Sequence, residues 1–487
     1  MCGIVGIRDA GGVSFSLYFA LYALQHRGQE SAGISTFDGT RFHLHKGKGL
    51  VAEIFNSEIL NGLEGTVGIG HVRYPVKGAN RPENIQPFNF VYRDHIISIA
   101  NNGNLVNDRE LREEYECQGQ IFLTTTDTEL IAKVITEELS NSGCVEDAVH
   151  RCMRLLRGSF SVVMMIDGVL YGFRDPLGIK PMCIGKTGQG VVIASESVAI
   201  DALGGTLLRD VNPGELVCID ENGMRTMQIA VAERKAHCIF EYIYFARADA
   251  VIDGALVYDV RRTIGAKLSE ESPVQADSVC PVPDSGTAYA IGYSQQSKIP
   301  FVESLMKNRY MGRTFIMPSQ KEREMAVRIK LNPIRDHLKD KSVVLVDDSI
   351  VRGTTSRRII GIIRDAGAKE VHVRVGSPAI RAPCYLGVDV PTREELIATE
   401  RDEEEVRKRI IASSLHHISL DALVEAIGIP RKDLCMGCLT GCYPVDIPGE
   451  ESQFSRVDFL TGTYQTKLER YEEKDSVPCE KDSEGWI

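Results

Sequence analysis

The chain reads as a protein of mixed α+β and α/β class, with more than one domain and a parallel sheet in its second half. Three observations carry this. At 487 residues it exceeds what one hydrophobic core usually supports. In the second half, residues 342–356 (SVVLVDDSIVRGTTS) run from a continuous apolar stretch through two acids and a small-residue loop. Ile359, Ile360 and Ile363 follow at helical spacing, so the order is buried strand, loop, helix. In the first half, strand-like runs at residues 96–99, 159–166 and 191–194 accompany a helix-like run at 16–24.

Composition narrows the function classes. Apolar content of 43% and charged content of 25% are ordinary for a soluble globular protein. A net charge of −11 argues against a general nucleic-acid binder. No apolar run approaches the roughly 18 residues that a membrane span needs. The apolar residues 15–24 lack a basic start and a cleavage site, so no signal peptide is expected and the location is expected to be cytoplasmic. Thirteen cysteines, an odd number scattered through a large chain, suit a reducing compartment with special roles for a few.

The chain opens Met1-Cys2-Gly3. A small residue after Met permits its removal, which would leave Cys2 with a free α-amine of pKa about 8, a nucleophile and a base in one residue. Read alone, the same residues merely start a strand. Residues 25–33 (QHRGQESAG), 68–74 (GIGHVRY), 100–104 (ANNGN) and 124–129 (TTTDTE) could each be a turn or cap, and Asp127 can cap the helix it opens. Together and in order they resemble the class II glutamine amidotransferase domain, over residues 2–230. That resemblance implies an N-terminal-nucleophile sandwich of two sheets between helices. It also implies roles: Cys2 as nucleophile, Arg73 as the fork on the glutamine carboxylate, Asp127 as acceptor for its ammonium, and the Asn102 amide with the Gly103 N–H as oxyanion hole. Arg27 and Tyr74 are near-site candidates. After Arg73 the chain reads Tyr-Pro-Val-Lys-Gly where the sugar-amidating branch reads Trp-Ala-Thr-His-Gly, which weakens assignment to that branch. Residues 173–178 (FRDPLG) read as a structural turn.

In the second half, residues 251–269 read as a helix and 278–282 as a strand. Asp347 and Asp348 fall at the carboxyl end of their strand, where open α/β sheets bind ligands. Backbone N–H groups of the loop and the start of the next helix can hold a phosphate. Gly353 would let the backbone come close to that ligand. The full run resembles the phosphoribosyl pyrophosphate signature of type I phosphoribosyltransferases, which implies substrate contacts from Asp347, Asp348, Ser349, Arg352, Gly353, Thr354 and Thr355. Residues 283–287 (PDSGT) resemble the pyrophosphate loop of the same family, with Asp284 on the substrate and Ser285 reaching a metal. The basic residues 312–335, which include Lys330, read as a solvated loop or as a lid over a polyanion, and the resemblance supports the lid. Mg²⁺ on pyrophosphate is expected, with Asp347 and Asp348 binding it directly, through water, or through the ribose hydroxyls. Residues 393–409 alternate charges and read as the solvated face of a helix.

Cys435 and Cys438 form a CxxC, with Cys238 and Cys384 far off in sequence. On their own, four thiolates suit zinc or an iron–sulfur cluster. Their flanks, HCIFE, APC and CMGC followed by Thr440-Gly441, resemble the iron–sulfur branch of the amidophosphoribosyltransferase family. This implies a [4Fe–4S] cluster on those four positions, with Cys442 an extra thiol nearby. The whole chain is similar to that family. The similarity implies glutamine and phosphoribosyl pyrophosphate as substrates, purine nucleotides as inhibitors, and a homo-oligomer (tetramer or dimer), with neither a nucleic-acid nor a membrane partner. The expected division is 2–232 for the glutamine domain, 233–250 for a connector with Cys238, 251–445 for the transferase, and 446–487 for a charged tail. Only Met1 precedes Cys2, so no propeptide processing is expected. An asparagine-synthetase-like enzyme would need a Ser-Gly-Gly-x-Asp-Ser loop, which is not found. A non-catalytic nucleotide-binding homologue is disfavoured by intact Cys2, Asn102 and Asp127.

Overall fold

A computed structural model of the chain describes residues 1–74, 81–188, 190–308, 331–390 and 392–449. The first half is two antiparallel sheets, face to face. One has seven strands in the order Thr206–Asp210, Cys183–Thr187, Gly190–Ala194, Gly3–Arg8, Val67–Arg73, Ser31–Phe37, Phe42–Lys48. The other has six, in the order Gly223–Gln228, Glu215–Asp220, Val169–Arg174, Gly158–Ile166, His95–Leu105, Phe88–Tyr92. Ile4, Ile69, Val163, Leu170 and Ile193 fill the space between them. The helix Ser14–Ala23 packs on the first sheet and Asp127–Ser142 with Val145–Leu155 on the second, completing the expected four-layer sandwich. The strand Gly158–Ile166 is buried along its whole length, which accommodates the unbroken apolar run of residues 162–166.

The second half is built on a parallel sheet, Ser278–Pro281, Ser342–Asp347, Glu370–Val375, Ser414–His417. The apolar run at 343–346 is buried at its centre, and Ile359, Ile360 and Ile363 lie on the buried face of the helix Thr354–Asp365. Two helix boundaries and one helix cap differ from expectation. The helix read at 251–269 begins at Val257, because Asp253 and Gly254, at φ +47° and +82°, turn a small hairpin of Val251–Ile252 with Ala255–Leu256. The stretch read as helix at 393–409 is a short 3-10 turn, Arg393–Glu395, and then the α-helix Glu403–Ile410, opened by a capping box in which Asp402 accepts from the Glu405 N–H. Asp127 does not cap its helix; its carboxylate accepts the Leu105 N–H at 2.7 Å. The turn at 173–178 is structural as read: buried Asp175 accepts N–H groups of Phe160, Leu177 and Ile179. No helix among the described residues is long and apolar enough to cross a membrane.

Candidate functional site

The strand Gly3–Arg8 pairs with Val67–Arg73, and this register brings Arg73 beside Cys2. Cys2 stands at the mouth of a small pocket lined by Met1, Arg73, Tyr74, Gly103, Asn104 and Asp127 among others. The Cys2 N–H donates to Asn102 Oδ1 at 3.0 Å, and its thiol lies 3.7 Å from the Tyr74 carbonyl. Asn102 is fully buried, and among the described residues its Nδ2 donates to no group. A buried amide donor without an acceptor is costly unless something else takes the bond. Gly103 has to be glycine: a Cβ would sit 2.0 Å from the Ser159 carbonyl oxygen across the sheet. Asp127 reaches the pocket from the start of its helix, held by the Leu105 bond.

Arg27 lies beneath the nucleophile rather than in the pocket. Its Nε donates to the Cys2 carbonyl at 3.0 Å, and its two Nη groups engage Glu196 and Glu241. All three charged side chains are buried. The site also holds groups that local sequence did not reveal. Lys180, fully buried, lies 2.9 Å from the Met1 sulfur. Burial above all, with Lys180 and Arg27 adding to it against the opposing pull of Cys2, draws the Met1 amine down to about 5. His71, buried under Arg73, is drawn down to about 3, first by burial and then by that arginine, so it is neutral. None of these partnerships has a signature in neighbouring residues.

At the second site, parallel pairing of Ser278–Pro281 with Ser342–Asp347 sets the loop 283–287 next to the loop 347–355. Gly286 permits this, since a Cβ there would meet the Val346 carbonyl at 2.3 Å. A cis peptide joins Pro283 to Asp284, and Asp284 pairs with Lys307 at 2.6 Å, with Ser285 beside it. Asp347 is pushed well above the ordinary carboxyl range by burial and by its neighbour Asp348. Ser349 donates to Asp348 at 2.6 Å, and Arg352 is tied to Glu395 at 2.6 Å. Gly353 stands at φ +72°, a left-handed backbone that favours glycine, and a Cβ there would also meet the Ile397 side chain at 2.3 Å. Thr354 and Thr355 open the helix, whose first N–H groups have no partner within it. Lys330 and most of the expected lid lie outside the described residues.

Groups of both sites lie within electrostatic reach of the half-exposed Tyr244 phenol, which is raised first by partial loss of hydration and then by Asp348, Tyr74 and Asp347. Tyr74 also donates to Asp389 at 3.2 Å.

The four cysteines meet at one place. Cys238 and Cys435 are register partners in a short parallel pair. Cys384 Sγ accepts the N–H groups of Leu386 and Val388, each at 3.4 Å. The Cys438 carbonyl accepts those of Arg381 and Ala382 at 3.0 and 3.1 Å. Burial raises Cys435 to about 12 and Cys438 well above its usual value, and each of the two is raised further by the other thiols of the group. Among the described residues, no group of three or more His, Cys, Asp or Glu side chains is arranged to hold a metal ion.

Residues 71–202 match the glutamine amidotransferase domain family. An amidophosphoribosyltransferase of Methanothermobacter thermautotrophicus is 51% identical over 456 residues, covering 93% of this chain and 96% of that protein. One from Archaeoglobus fulgidus is 50% identical, covering 93% and 100%. A solved glutamine phosphoribosylpyrophosphate amidotransferase of Bacillus subtilis, complexed with ADP and GMP, superimposes with a TM-score of 0.87 at 42% identity, covering 92% of this chain and 98% of that one.

Proposed function

The chain belongs to the amidophosphoribosyltransferase family, an enzyme of the first step of purine biosynthesis with glutamine as nitrogen donor, and from that premise we propose how its residues divide the work. It makes 5-phosphoribosylamine from phosphoribosyl pyrophosphate, releasing glutamate and pyrophosphate. With Cys2 as first residue, its α-amine takes the thiol proton, and the thiolate attacks the glutamine amide carbon. Asn102 Oδ1 holds the α-nitrogen, leaving Nδ2 and the Gly103 N–H for the developing oxyanion. The buried Asn102 Nδ2 without an acceptor is the observation that carries this reading. Arg73 takes the glutamine carboxylate and Asp127 its ammonium. Arg27 fixes the Cys2 carbonyl and is a positioning residue.

Ammonia released at Cys2 crosses toward Asp347 and Asp348, past Tyr74 and Tyr244, and attacks C1 of the ribose. Asp347 and Asp348 take the ribose hydroxyls; residues 349–355 hold the 5-phosphate; Asp284 and Ser285 serve the pyrophosphate, and Lys330 belongs to this set. The raised Asp347 fits a site whose neighbouring carboxylates gain from a cation. Asp347, Asp348 and Ser285 would hold Mg²⁺, which would supply positive charge to offset that of the leaving pyrophosphate. Cys238, Cys384, Cys435 and Cys438 would hold a [4Fe–4S] cluster, since four gathered thiols are the donor set such a cluster takes. When bound, it would cross-link three distant chain segments. The division at 232 and 251, a homo-oligomer, and inhibition by purine nucleotides complete the reading; the ADP and GMP bound to the Bacillus subtilis relative support the last. The test is glutamine hydrolysis measured with and without phosphoribosyl pyrophosphate. Phosphoribosylamine formation stoichiometric with glutamate is expected, and glutamate release with no phosphoribosylamine would refute it.

A further inference from the structure

The strand that carries Asn102 and Gly103 does not hold its position by sheet pairing alone. Residues 385–387, from the second half of the chain, lie directly against it. Asn104 Nδ2 donates to the Tyr385 carbonyl at 2.8 Å. Ser159, opposite Asn104 on the neighbouring strand, donates to the Leu386 carbonyl at 2.9 Å. The same Ser159 hydroxyl accepts the Asn104 N–H at 3.2 Å, so one buried oxygen joins both chain segments. Gly387 then turns at φ +94°. A Cβ on it would lie 3.3 Å from the Gly103 carbonyl carbon, 3.3 Å from Lys180 Cε and 3.5 Å from the Asn104 nitrogen.

The segment hangs from Cys384. The sulfur of that residue accepts the N–H groups of Leu386 and Val388, which curls the backbone so that the Tyr385 and Leu386 carbonyls face the strand. Moving Cys384 therefore moves the acceptors that hold Asn104, and with them the Gly103 N–H one residue away. An oxyanion donor acts only when fixed where charge develops.

We propose that residues 384–387 are a positioning strap for the oxyanion strand, so that the anchoring of Cys384 among the four cysteines governs glutamine hydrolysis while leaving the use of free ammonia untouched. This rests on the glutaminase reading of Cys2, and it gives the cysteine group a role beyond holding the fold together. A cross-link that only stabilised the protein would affect both nitrogen sources alike.

The experiment uses the holoenzyme and compares phosphoribosylamine synthesis from glutamine and from ammonium chloride in Gly387→Ala, with Ser159→Ala as the milder variant should the first fold poorly. Labelling of Cys2 by a glutamine-shaped diazoketone is followed in parallel. Displacement of reacting groups by about 1 Å can cost about 100-fold, so glutamine-dependent kcat is expected to fall about 10- to 100-fold in Gly387→Ala and less in Ser159→Ala. Ammonia-dependent kcat should stay within about twofold, the spread an unperturbed transferase site allows. Labelling should slow in step with glutamine use. Equal losses with both nitrogen sources, or unchanged glutamine use in both variants, would overturn the strap. A Cys2→Ser control that still uses glutamine would overturn the glutaminase reading beneath it instead.

Discussion

Arg27→Met removes the guanidinium that bridges two buried carboxylates. The guanidinium is fully buried, bonds both oxygens of Glu241 at 2.7 and 3.0 Å, and also bonds Glu196. Burial pushes the Glu196 carboxyl up, yet His26 and Arg27 hold it at about 2 against an ordinary 4.5. That difference is worth about 3 kcal/mol, shared between His26 and Arg27. Glu241 would lose its partner as well, and breaking a buried pair from one side costs about 3–5 kcal/mol. Both routes place the loss at about 3–5 kcal/mol, or an apparent melting temperature lower by about 6–20 °C for a domain of this size. The pH dependence has a definite sign. In the wild type the Glu196 carboxyl is depressed, so its stabilisation is complete above the ordinary carboxyl value and is lost as pH falls through about 2. In the variant the stranded carboxylates rise in pKa, so the deficit should be largest at pH 8 and shrink toward pH 5. Melting curves of both proteins across that range are the assay. A variant melting within about 2 °C of wild type at pH 7, where about 6 °C is the least expected, would refute the reasoning, as would a deficit that grows toward pH 5.

Cys2→Ser should abolish glutamine-dependent synthesis and keep ammonia-dependent synthesis; intact mass should show the active protein beginning at Cys2, and Met1 retained on active enzyme would contradict this. Asp347→Asn with Asp348→Asn should abolish synthesis from either nitrogen source, since both sources meet the same ribose; unchanged ammonia-dependent turnover is the contrary result. Cys435→Ser should lower iron and sulfide content and the visible absorption of anaerobically purified protein, with aggregation following; stoichiometric zinc in the wild type would count against the cluster. Gly103→Ala should misfold or lose glutamine use at least 100-fold, because its Cβ meets the Ser159 carbonyl oxygen at 2.0 Å and the N–H is an oxyanion donor; near-normal glutamine kinetics would remove Gly103 from the site.

What the sequence determined by itself is what neighbouring residues decide. The apolar run at 343–346, the acids after it and the helix from Thr354 are one continuous unit, so strand, acid pair and loop were legible without any distant contact. Cys2 could be named as a candidate nucleophile because a nucleophile and its base need only one residue, once the segments at 25–33, 68–74, 100–104 and 124–129 stood beside it. Tertiary structure decided whatever depends on partners far along the chain. Arg27 reads as a near-site group until Glu196 and Glu241, 169 and 214 residues away, claim its guanidinium. Asp127 reads as a cap until Leu105 offers a better-placed N–H. That Ile397 packs against Gly353 was likewise set by a residue far along the chain. Local propensity acts over a few residues, whereas these choices are made when two sheets and a second domain close on one another and each buried polar group takes the partner that packing brings within reach.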